Sequence, residues 1–411
     1  MESINHELLA SEGGTPLRDI SKNPWPSWPQ YTETSLSNLS KVLSSGRWTV
    51  SGPWTGKKTY ETLCSEKIAD VMGSRYCTMV DHGASALFIA LQALGVREGD
   101  EVIVPGLTWI ACASVVLRLG AKPVFVDIEE SCLGLDPIDL ERKISTKTKV
   151  IMVVHLYSCM ADMEAIMEIS KKYSIPVLED CSHAHKAMWK DKFAGTIGQI
   201  GIFSLHQGKP LTCGEGGFII CSDPILNEKF QRLRSNGRRY SQSAVIGRDH
   251  LDAKIDIRSG NYNFSEFHAA VLLDTLPLLD KQNLIKQENA SYLDHLLSKV
   301  PGTIPMVPHK KNISRTYYHY VTRLELSYFG NHSIDEIAEA LSHELGLWVH
   351  KIYAPLDQHL EEMNSAELPR CYSEYARSIA IHHSALLSPK EDMVTISKAF
   401  SKVQRAFSRE I

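Results

Sequence analysis

One lysine of this chain occupies a position that favours nucleophilic chemistry. Lys209 follows the apolar, strand-like run Ile200–Ser204, and a glycine-rich turn then leads into a second strand-like run, Phe218–Cys221. Burial penalises an ammonium ion and lowers its pKa, so a lysine between two buried strands can present a neutral amine. Such an amine can form a Schiff base with a carbonyl compound. The same stretch is also compatible with a surface lysine in a hairpin loop, so other residues are needed to distinguish a reactive lysine from a surface one.

Further candidate residues stand at the ends of other predicted strands. A glycine-containing turn precedes a helix, an aromatic residue follows the next strand, and an acid and a histidine follow a third. These residues are Gly83, Ala84 and Ser85 in the turn, then Trp109, Asp180 and His183, with Ser204 at the end of the strand before the lysine. Ligands of an open parallel sheet bind at the carboxyl ends of its strands, so we expect these side chains to converge.

A phosphate-binding turn, an aromatic plate, an acid and a lysine together are what pyridoxal phosphate (PLP) requires. A helix N-terminus binds the phosphate, the plate fixes the ring, the acid pairs with the pyridine nitrogen and the lysine forms the imine. Each residue alone has another interpretation, since Asp180 could bind a ribose or a metal and Trp109 could be an ordinary core residue. Four such features at successive strand ends favour the cofactor.

The elements that must position these residues indicate an α/β fold. Short apolar strands alternate with helices up to about residue 221, which is typical of a mostly parallel sheet covered on both faces. Strands are predicted at 77–80, 102–105, 123–126, 149–154, 175–178, 200–204, 218–221 and 318–323. Helices are predicted at 60–71, 86–94, 109–119, 137–144, 163–173 and 265–279. We predict an irregular N-terminal segment (1–55) packed on the body or on a partner subunit, a large cofactor-binding domain (56–280) and a smaller α+β domain (281–411).

Composition limits the other functional classes. The 411 residues are 43% hydrophobic and 22% charged, with a net charge of −4, which is ordinary for a globular protein. We therefore expect no nucleic-acid partner and no membrane association, since there is no basic excess and no stretch of roughly 18 apolar residues. The nine cysteines form no Cys-x-x-Cys pair, so we expect reduced thiols in a cytoplasmic protein and no metal site.

Longer motifs resemble the DegT/DnrJ/EryC1/StrS family of sugar aminotransferases over nearly the whole chain. The motifs are Gly99–Pro105, Glu179–Asp180, the block from Ser204 to Gly217, and Gly260–Glu266. The resemblance implies fold type I of PLP enzymes, the aspartate aminotransferase-like fold, with a mostly parallel sheet of the seven-stranded type. It also implies that the protein is a transaminase whose cofactor is pyridoxal 5′-phosphate.

The resemblance assigns a role to each candidate residue. Lys209 would bind the cofactor covalently and shuttle the proton, Asp180 would pair with the pyridine nitrogen, and Trp109 would stack on the ring. The phosphate would be bound by Gly83, Ala84, Ser85 and Ser204, and His183 would lie beside the 3′-oxygen. Asn261 would reach the phosphate from the neighbouring subunit, which implies a homodimer with shared active sites.

Shorter motifs resemble one branch of the family, which contains L-glutamine:2-deoxy-scyllo-inosose aminotransferases and 3-amino-5-hydroxybenzoate synthase. They are Trp25–Gln30, Ser45–Trp48, Val154–Met163, Leu205–Lys209 and His382–Leu387. The branch implies amino transfer from L-glutamine or L-glutamate to a cyclic ketone, either a ketocyclitol such as 2-deoxy-scyllo-inosose or a keto-sugar, in the biosynthesis of aminocyclitol or aminosugar antibiotics. The alternatives are a PLP-dependent dehydration and aromatisation of the aminohydroxybenzoate type, and a non-catalytic partner subunit.

Three positions depart from the family pattern. Ala84 stands where relatives carry a hydroxyl, Pro210 directly follows the lysine, and Lys186 stands where a glycine is usual. Aromatic and polar residues of the irregular stretches are the candidates for choosing the substrate, although each has an ordinary structural alternative. These candidates are Trp54, Tyr157, Arg238 and His382.

Overall fold

A computed structural model of the chain describes residues 8–51, 55–129, 131–240, 251–252, 259–307, 313–359 and 367–408. The helices are α1 (Glu33–Ser45), α2 (Tyr60–Val71), α3 (Gly83–Ala93), α4 (Ala111–Arg118), α5 (Pro137–Lys143), α6 (Met163–Tyr173), α7 (Pro224–Leu233), α8 (Glu266–Thr275), α9 (Leu278–Leu297), α10 (Ile334–Leu345), α11 (Pro369–Arg377) and α12 (Glu391–Phe407). The strands are β1 (Tyr76–Val80), β2 (Glu101–Pro105), β3 (Lys122–Val126), β4 (Thr148–Val154), β5 (Val177–Asp180), β6 (Met188–Trp189), β7 (Lys192–Phe193), β8 (Ile200–Ser204), β9 (Gly217–Cys221), β10 (Arg239–Tyr240), β11 (Leu251–Asp252), β12 (Thr303–Pro305), β13 (Ile313–Ser314), β14 (His319–Leu324), β15 (Val349–Lys351) and β16 (Ser378–His382).

A seven-stranded sheet forms the centre of the larger part of the molecule, in the order β1-β9-β8-β5-β4-β2-β3. The pairs from β8 to β3 are parallel, whereas β9 runs antiparallel to both of its neighbours. The carboxyl ends of every strand except β9 therefore meet at one edge. This arrangement confirms the predicted α/β class with a mostly parallel sheet.

Alternate residues of the strands pack against two helical layers. On β2, Val102 and Val104 join a core that includes α3 and α4, whereas Ile103 joins a second core that includes residues of α2, α5 and α6. A strand covered on both faces is apolar at consecutive positions, which explains the near-continuous hydrophobic runs in the sequence. The sheet is thereby held rigid beneath the edge where its carboxyl ends meet.

A second, antiparallel sheet lies in the C-terminal part of the chain, in the order β12-β14-β16-β15. Its core is shared with α9, α10 and α12. The N-terminal segment contributes Leu9 to this core, and the indole Nε1 of Trp25 donates a hydrogen bond of 2.7 Å to the carbonyl of Leu345. The first residues of the chain thus pack on the last unit of the fold.

Several local expectations were wrong. The helix expected over 265–279 is two helices, because Pro277 has no backbone N–H and stands between α8 and α9. The strand expected at 175–178 is β5, which ends on Asp180 itself. The segment 1–55 is not irregular throughout, since α1 is capped by the Thr32 side chain and packs against α8. The boundaries of the three predicted parts stay predictions.

None of the described helices combines the length and the apolar character that crossing a bilayer would require.

Candidate active site

A cavity of about 260 Å³ opens at the carboxyl edge of the seven-stranded sheet. Most of the residues predicted for cofactor binding line it, although they come from different strand ends. They are Gly83, Ala84, Trp109, Asp180, His183, Ser204 and Lys209. The convergence predicted from strand-end positions therefore occurs, and it places the nucleophile, the acid and the aromatic plate around one space.

Lys209 and Asp180 define the chemical centre of the cavity. Burial lowers the pKa of Lys209 to about 8, and the negative charge of Asp180 opposes that shift. Asp180 is itself buried and accepts a 2.9 Å hydrogen bond from the backbone N–H of Ser182 through Oδ1. A lysine whose pKa lies near neutrality supplies both the neutral amine and the ammonium form that proton transfer requires.

The N-terminus of α3 lies against the end of β8. A Cβ placed on Gly83 would lie 2.7 Å from Cβ of Ser204, so only glycine permits this approach. The first N–H groups of a helix have no acceptor within the helix and attract anions. Together with the Ser204 hydroxyl they form a cradle that fits a phosphate, even though Ala84 brings no hydroxyl. Ser85, which was predicted to assist, is not among the residues that line the cavity.

His183 lies in the cavity as a neutral imidazole. Burial and the charge of Lys209 hold its pKa well below the ordinary value. Its Nδ1 accepts a 3.2 Å hydrogen bond from the backbone N–H of Tyr157, which leaves the proton of the neutral ring on Nε2. His183 can therefore donate a hydrogen bond into the cavity from Nε2.

Two tyrosines complete the cavity, and the sequence reasoning missed both. Tyr318 immediately precedes β14, and Lys209 Nζ lies 4.1 Å from the centroid of its ring. Tyr353 follows β15, and its ring centroid lies 5.5 Å from that of Trp109. Trp109 itself is 57% exposed. Tyr317, one residue before Tyr318, packs into the C-terminal core instead.

Of the predicted substrate residues, the three that the structure describes do not line the cavity. Tyr157 is fully buried behind His183, with its hydroxyl accepting a 3.0 Å hydrogen bond from the backbone N–H of Tyr353. Arg238 is exposed outside the lining, and His382 contacts the carbonyl of Gly208. Trp54 lies outside the described residues.

Asn261, predicted to reach the phosphate of a neighbouring subunit, does not line the cavity of its own chain. It is exposed, and its side-chain oxygen accepts a 2.7 Å hydrogen bond from Asn263 Nδ2. Lys186, at the position where relatives have glycine, takes a left-handed backbone with φ of 64°. This conformation is the one that glycine favours, so the departure from the family pattern concerns a strained turn rather than the lining.

One cluster of side chains of the types that bind metals has a structural role. His155, Glu179 and Cys181 are close together and fully buried. The Glu179 carboxylate accepts hydrogen bonds from the N–H groups of Gly195, Ile197 and Gly198, and lies 3.0 Å from His155 Nε2. A carboxylate so fully bonded ties the loop before β8 to β5. All nine cysteines lie in the described part of the chain as buried free thiols.

Comparison with known proteins agrees with this geometry. The model of the DegT/DnrJ/EryC1/StrS aminotransferase family matches residues 29–400. The chain belongs to this family. It is 38% identical to an L-glutamine:2-deoxy-scyllo-inosose aminotransferase of Micromonospora echinospora, covering 96% of this chain and 97% of that one. It is 39% identical to an enzyme of the same name from Streptomyces kanamyceticus, with 97% of both chains covered.

Among solved structures, the fold is similar to that of 3-amino-5-hydroxybenzoic acid synthase. The TM-score is 0.82 at 28% identity, and the match covers 93% of this chain and 99% of that one. The protein is therefore an aminotransferase with the fold of PLP enzymes of type I, and family membership indicates PLP as its cofactor. The cradle, acid, plate and lysine of the cavity fit that cofactor.

Proposed function

We propose that this enzyme transfers the amino group of L-glutamine or L-glutamate to a ketocyclitol such as 2-deoxy-scyllo-inosose. The observation that carries the proposal is that Lys209 and Asp180 line one cavity, within a chain that matches 2-deoxy-scyllo-inosose aminotransferases over nearly its full length. The reaction would belong to aminocyclitol biosynthesis. In each full cycle the donor becomes a keto acid and the cyclic ketone becomes an amine.

PLP supplies, when bound, the electron sink that makes the C–H bond beside an amine acidic. The chain supplies the groups that use this acidity. Lys209 Nζ, with a pKa lowered to about 8, would accept the proton that the C–H bond of the donor releases and would donate it again later in the transfer. Asp180 would pair with the ring nitrogen, and the start of α3 with Ser204 would hold the phosphate. Trp109 would stack on the ring, and His183 would donate from Nε2 to the ring oxygen.

We further propose that the active enzyme is a cytoplasmic homodimer. Trp109 and Trp48 are 57% and 53% exposed, and Tyr31 is 68% exposed, although large aromatic side chains are usually buried. Asn261 lies outside the cavity of its own chain, which is compatible with a role in that of a partner. Light scattering at micromolar concentration would test the assembly, and a mass of about 46 kDa, that of one chain, would contradict it.

An amino-acceptor screen tests the substrate. Purified enzyme with PLP and L-glutamine would be offered 2-deoxy-scyllo-inosose, scyllo-inosose and a set of nucleotide-linked keto-sugars. We expect an aminocyclitol from the first two and little product from the sugars. Amination of the keto-sugars alone would contradict the proposed acceptor while leaving the aminotransferase chemistry intact.

A second candidate is dehydration and aromatisation of an aminodehydroshikimate-type compound. It is favoured by the structural similarity to 3-amino-5-hydroxybenzoic acid synthase. Adding an aminodehydroshikimate-type compound to the screen, with no amino donor present, separates the two functions, because its aromatic product absorbs in the near ultraviolet and requires no amino donor.

A further inference from the structure

The loop before Lys209 is held at three successive backbone carbonyls. The carbonyl of His206 accepts a 2.8 Å hydrogen bond from the N–H of Lys209, which closes a turn. The carbonyl of Gln207 accepts a 2.9 Å bond from Nε1 of Trp28. The carbonyl of Gly208 lies 3.3 Å from Nε2 of His382. Two of the three donors are side chains distant in sequence, one from the N-terminal segment and one from the end of β16.

His382 acts as a neutral donor. Its Nδ1 accepts a 3.3 Å hydrogen bond from the backbone N–H of Ser384, so the proton of the neutral ring is on Nε2 and points at the Gly208 carbonyl. Burial lowers the pKa of His382 to about 4, although the hydrogen bond to the Gly208 carbonyl opposes that shift. The hydrogen bond to the loop is therefore constant across the neutral pH range.

The two donors are coupled to each other. The indole of Trp28 packs edge-on against the imidazole of His383, with 4.4 Å between ring centroids, and His383 lies 4.3 Å from His382. The backbone N–H of His383 donates a 3.3 Å hydrogen bond to the carbonyl of Tyr318. The ring of Tyr318 lies against Lys209 Nζ. The cluster formed by Trp28, His382, His383 and Tyr318 therefore contacts both the backbone of the lysine loop and the lysine amine.

We propose that Trp28 and His382 are positioning residues that set the orientation of Lys209. This inference rests on the proposed covalent and proton-transfer role of Lys209. The lysine side chain has four rotatable bonds, and its amine reaches a defined point only if its backbone is fixed. The carbonyls of Gln207 and Gly208 are the last two before the lysine, so their hydrogen bonds hold the peptide planes from which the side chain starts. His382, predicted from sequence as a substrate residue, instead acts through this loop.

The chain offers a matched control for Trp28. Trp25 lies in the same segment, and its Nε1 also donates to a carbonyl, that of Leu345, at 2.7 Å. That carbonyl belongs to the C-terminal unit and not to the lysine loop. Trp28→Phe and Trp25→Phe therefore each remove one indole N–H from the same N-terminal segment and keep an aromatic ring. They differ in whether the released carbonyl precedes Lys209, and in the neighbour of the ring, which is His383 for Trp28 and the Arg18 guanidinium for Trp25.

The experiment measures how Lys209 captures its cofactor. Cofactor-free protein is mixed with PLP in a stopped-flow instrument, and the growth of the visible band of lysine-bound PLP gives the rate of capture. The pH midpoint of that band is then titrated. For Trp28→Phe we expect capture about tenfold slower, since misplacing a reacting group by a fraction of an ångström has effects of this size. We also expect the pH midpoint to move by about half a unit. Trp25→Phe should match the wild type in both.

His382 provides an independent arm. His382→Ala should slow capture and move the midpoint in the same direction as Trp28→Phe, whereas His382→Gln, which retains an N–H donor at similar reach, should restore much of both. Equal behaviour of the two tryptophan variants, or failure of His382→Gln to recover more than His382→Ala, would overturn the inference. A wild-type protein that forms no visible band with PLP would instead contradict the proposed function.

Discussion

The carboxyl edge of the seven-stranded sheet and the C-terminal unit both face the cavity, but they contribute different chemistry. The sheet edge brings the ionisable pair, Lys209 and Asp180, and the cradle at Gly83. The C-terminal unit brings two tyrosines, Tyr318 and Tyr353, which carry no charge at neutral pH. The rigid sheet thus supplies the groups that must react, and the second unit supplies groups that shape and close the space around them.

The same contrast is visible in two lysines with lowered pKa values. Lys209 on the sheet edge has its pKa lowered to about 8 by burial, with Asp180 opposing the shift. Lys286 on α9 has its pKa lowered to about 7 by burial alone, and its Nζ makes a long 3.4 Å contact to the Tyr317 carbonyl. No carboxylate of the described residues forms an ion pair with Lys286. Lys209 differs from Lys286 in sharing a cavity with a carboxylate, that of Asp180, whose charge opposes the effect of burial.

The largest effect is expected from Lys209→Ala. Removing the amine deletes both the covalent anchor and the proton carrier, so transamination should fall by on the order of 10⁴-fold. Lys286→Met is the control, because it removes a buried lysine of the other region and should leave turnover within about threefold. Both are measured as glutamine-dependent amination. Turnover by Lys209→Ala close to that of the wild type would show that the lysine at the sheet edge takes no part in the reaction.

Two adjacent carboxylates at the end of β5, those of Glu179 and Asp180, allow a structural and a reactive group to be compared directly. Asp180→Asn should lower turnover about 100-fold or more, because the ring nitrogen loses its charged partner. It should also lower the pKa of Lys209 in the cofactor-free protein below about 8, because Asp180 opposes the effect of burial. The pH dependence of amine labelling at Lys209, followed by peptide mass spectrometry, reports that shift.

Glu179→Gln is the matched change one residue earlier. Glu179 bonds three backbone N–H groups and His155, and an amide cannot accept at both of its terminal atoms. We expect a loss of about 3–5 kcal/mol in the free energy of unfolding in urea, with the cofactor spectrum of the folded protein retained. A stable Glu179→Gln protein with no activity would contradict the assignment of Glu179 as a structural residue and of Asp180 as the reactive one.

Tyr318→Phe tests the contribution of the C-terminal unit. Tyr318 lines the cavity. Loss of its hydroxyl should raise the KM for the cyclic ketone about fivefold, equivalent to ~1 kcal/mol, with little change in kcat. Tyr317→Phe, one residue away and packed in the C-terminal core, should leave both constants unchanged. Steady-state kinetics at saturating glutamine would measure them. An effect on kcat alone would place Tyr318 in the proton-transfer step instead.

A further effect concerns the dependence of stability on pH. In the folded protein Lys286 loses its proton near pH 7, whereas in the unfolded chain it keeps the proton to about pH 10.4. The unfolded state therefore binds more protons between these values, so the free energy of unfolding contributed by Lys286 rises with pH, by up to about 1.4 kcal/mol per unit. Relative to wild type, Lys286→Met should be most stabilising at pH 6 and less so at pH 9. Urea unfolding at both values would detect the difference, and no change between them would show that Lys286 stays charged.

The difference between the two regions also explains what could be predicted from the sequence. Trp109, Asp180, Ser204 and Lys209 stand at or just after apolar strands, and parallel topology brings such positions to one edge whatever the details of packing. Tyr318 and Tyr353 belong to an antiparallel unit, where a shift of one residue turns a side chain to the other face. The docking of that unit on the sheet depends on long-range packing, which no local pattern encodes. The contact of His382 with the lysine loop was missed for the same reason.

The most direct test of the proposed reaction is a spectral titration of the purified enzyme with its two substrates in turn. The PLP form should show the visible band of lysine-bound cofactor, L-glutamine should abolish the band, and 2-deoxy-scyllo-inosose should restore it while one aminocyclitol forms per cofactor. Lys209→Ala should show no such cycle. A wild-type band that persists with every amino donor, or one that is abolished by glutamine but never restored by a cyclic ketone, would contradict the proposed transfer.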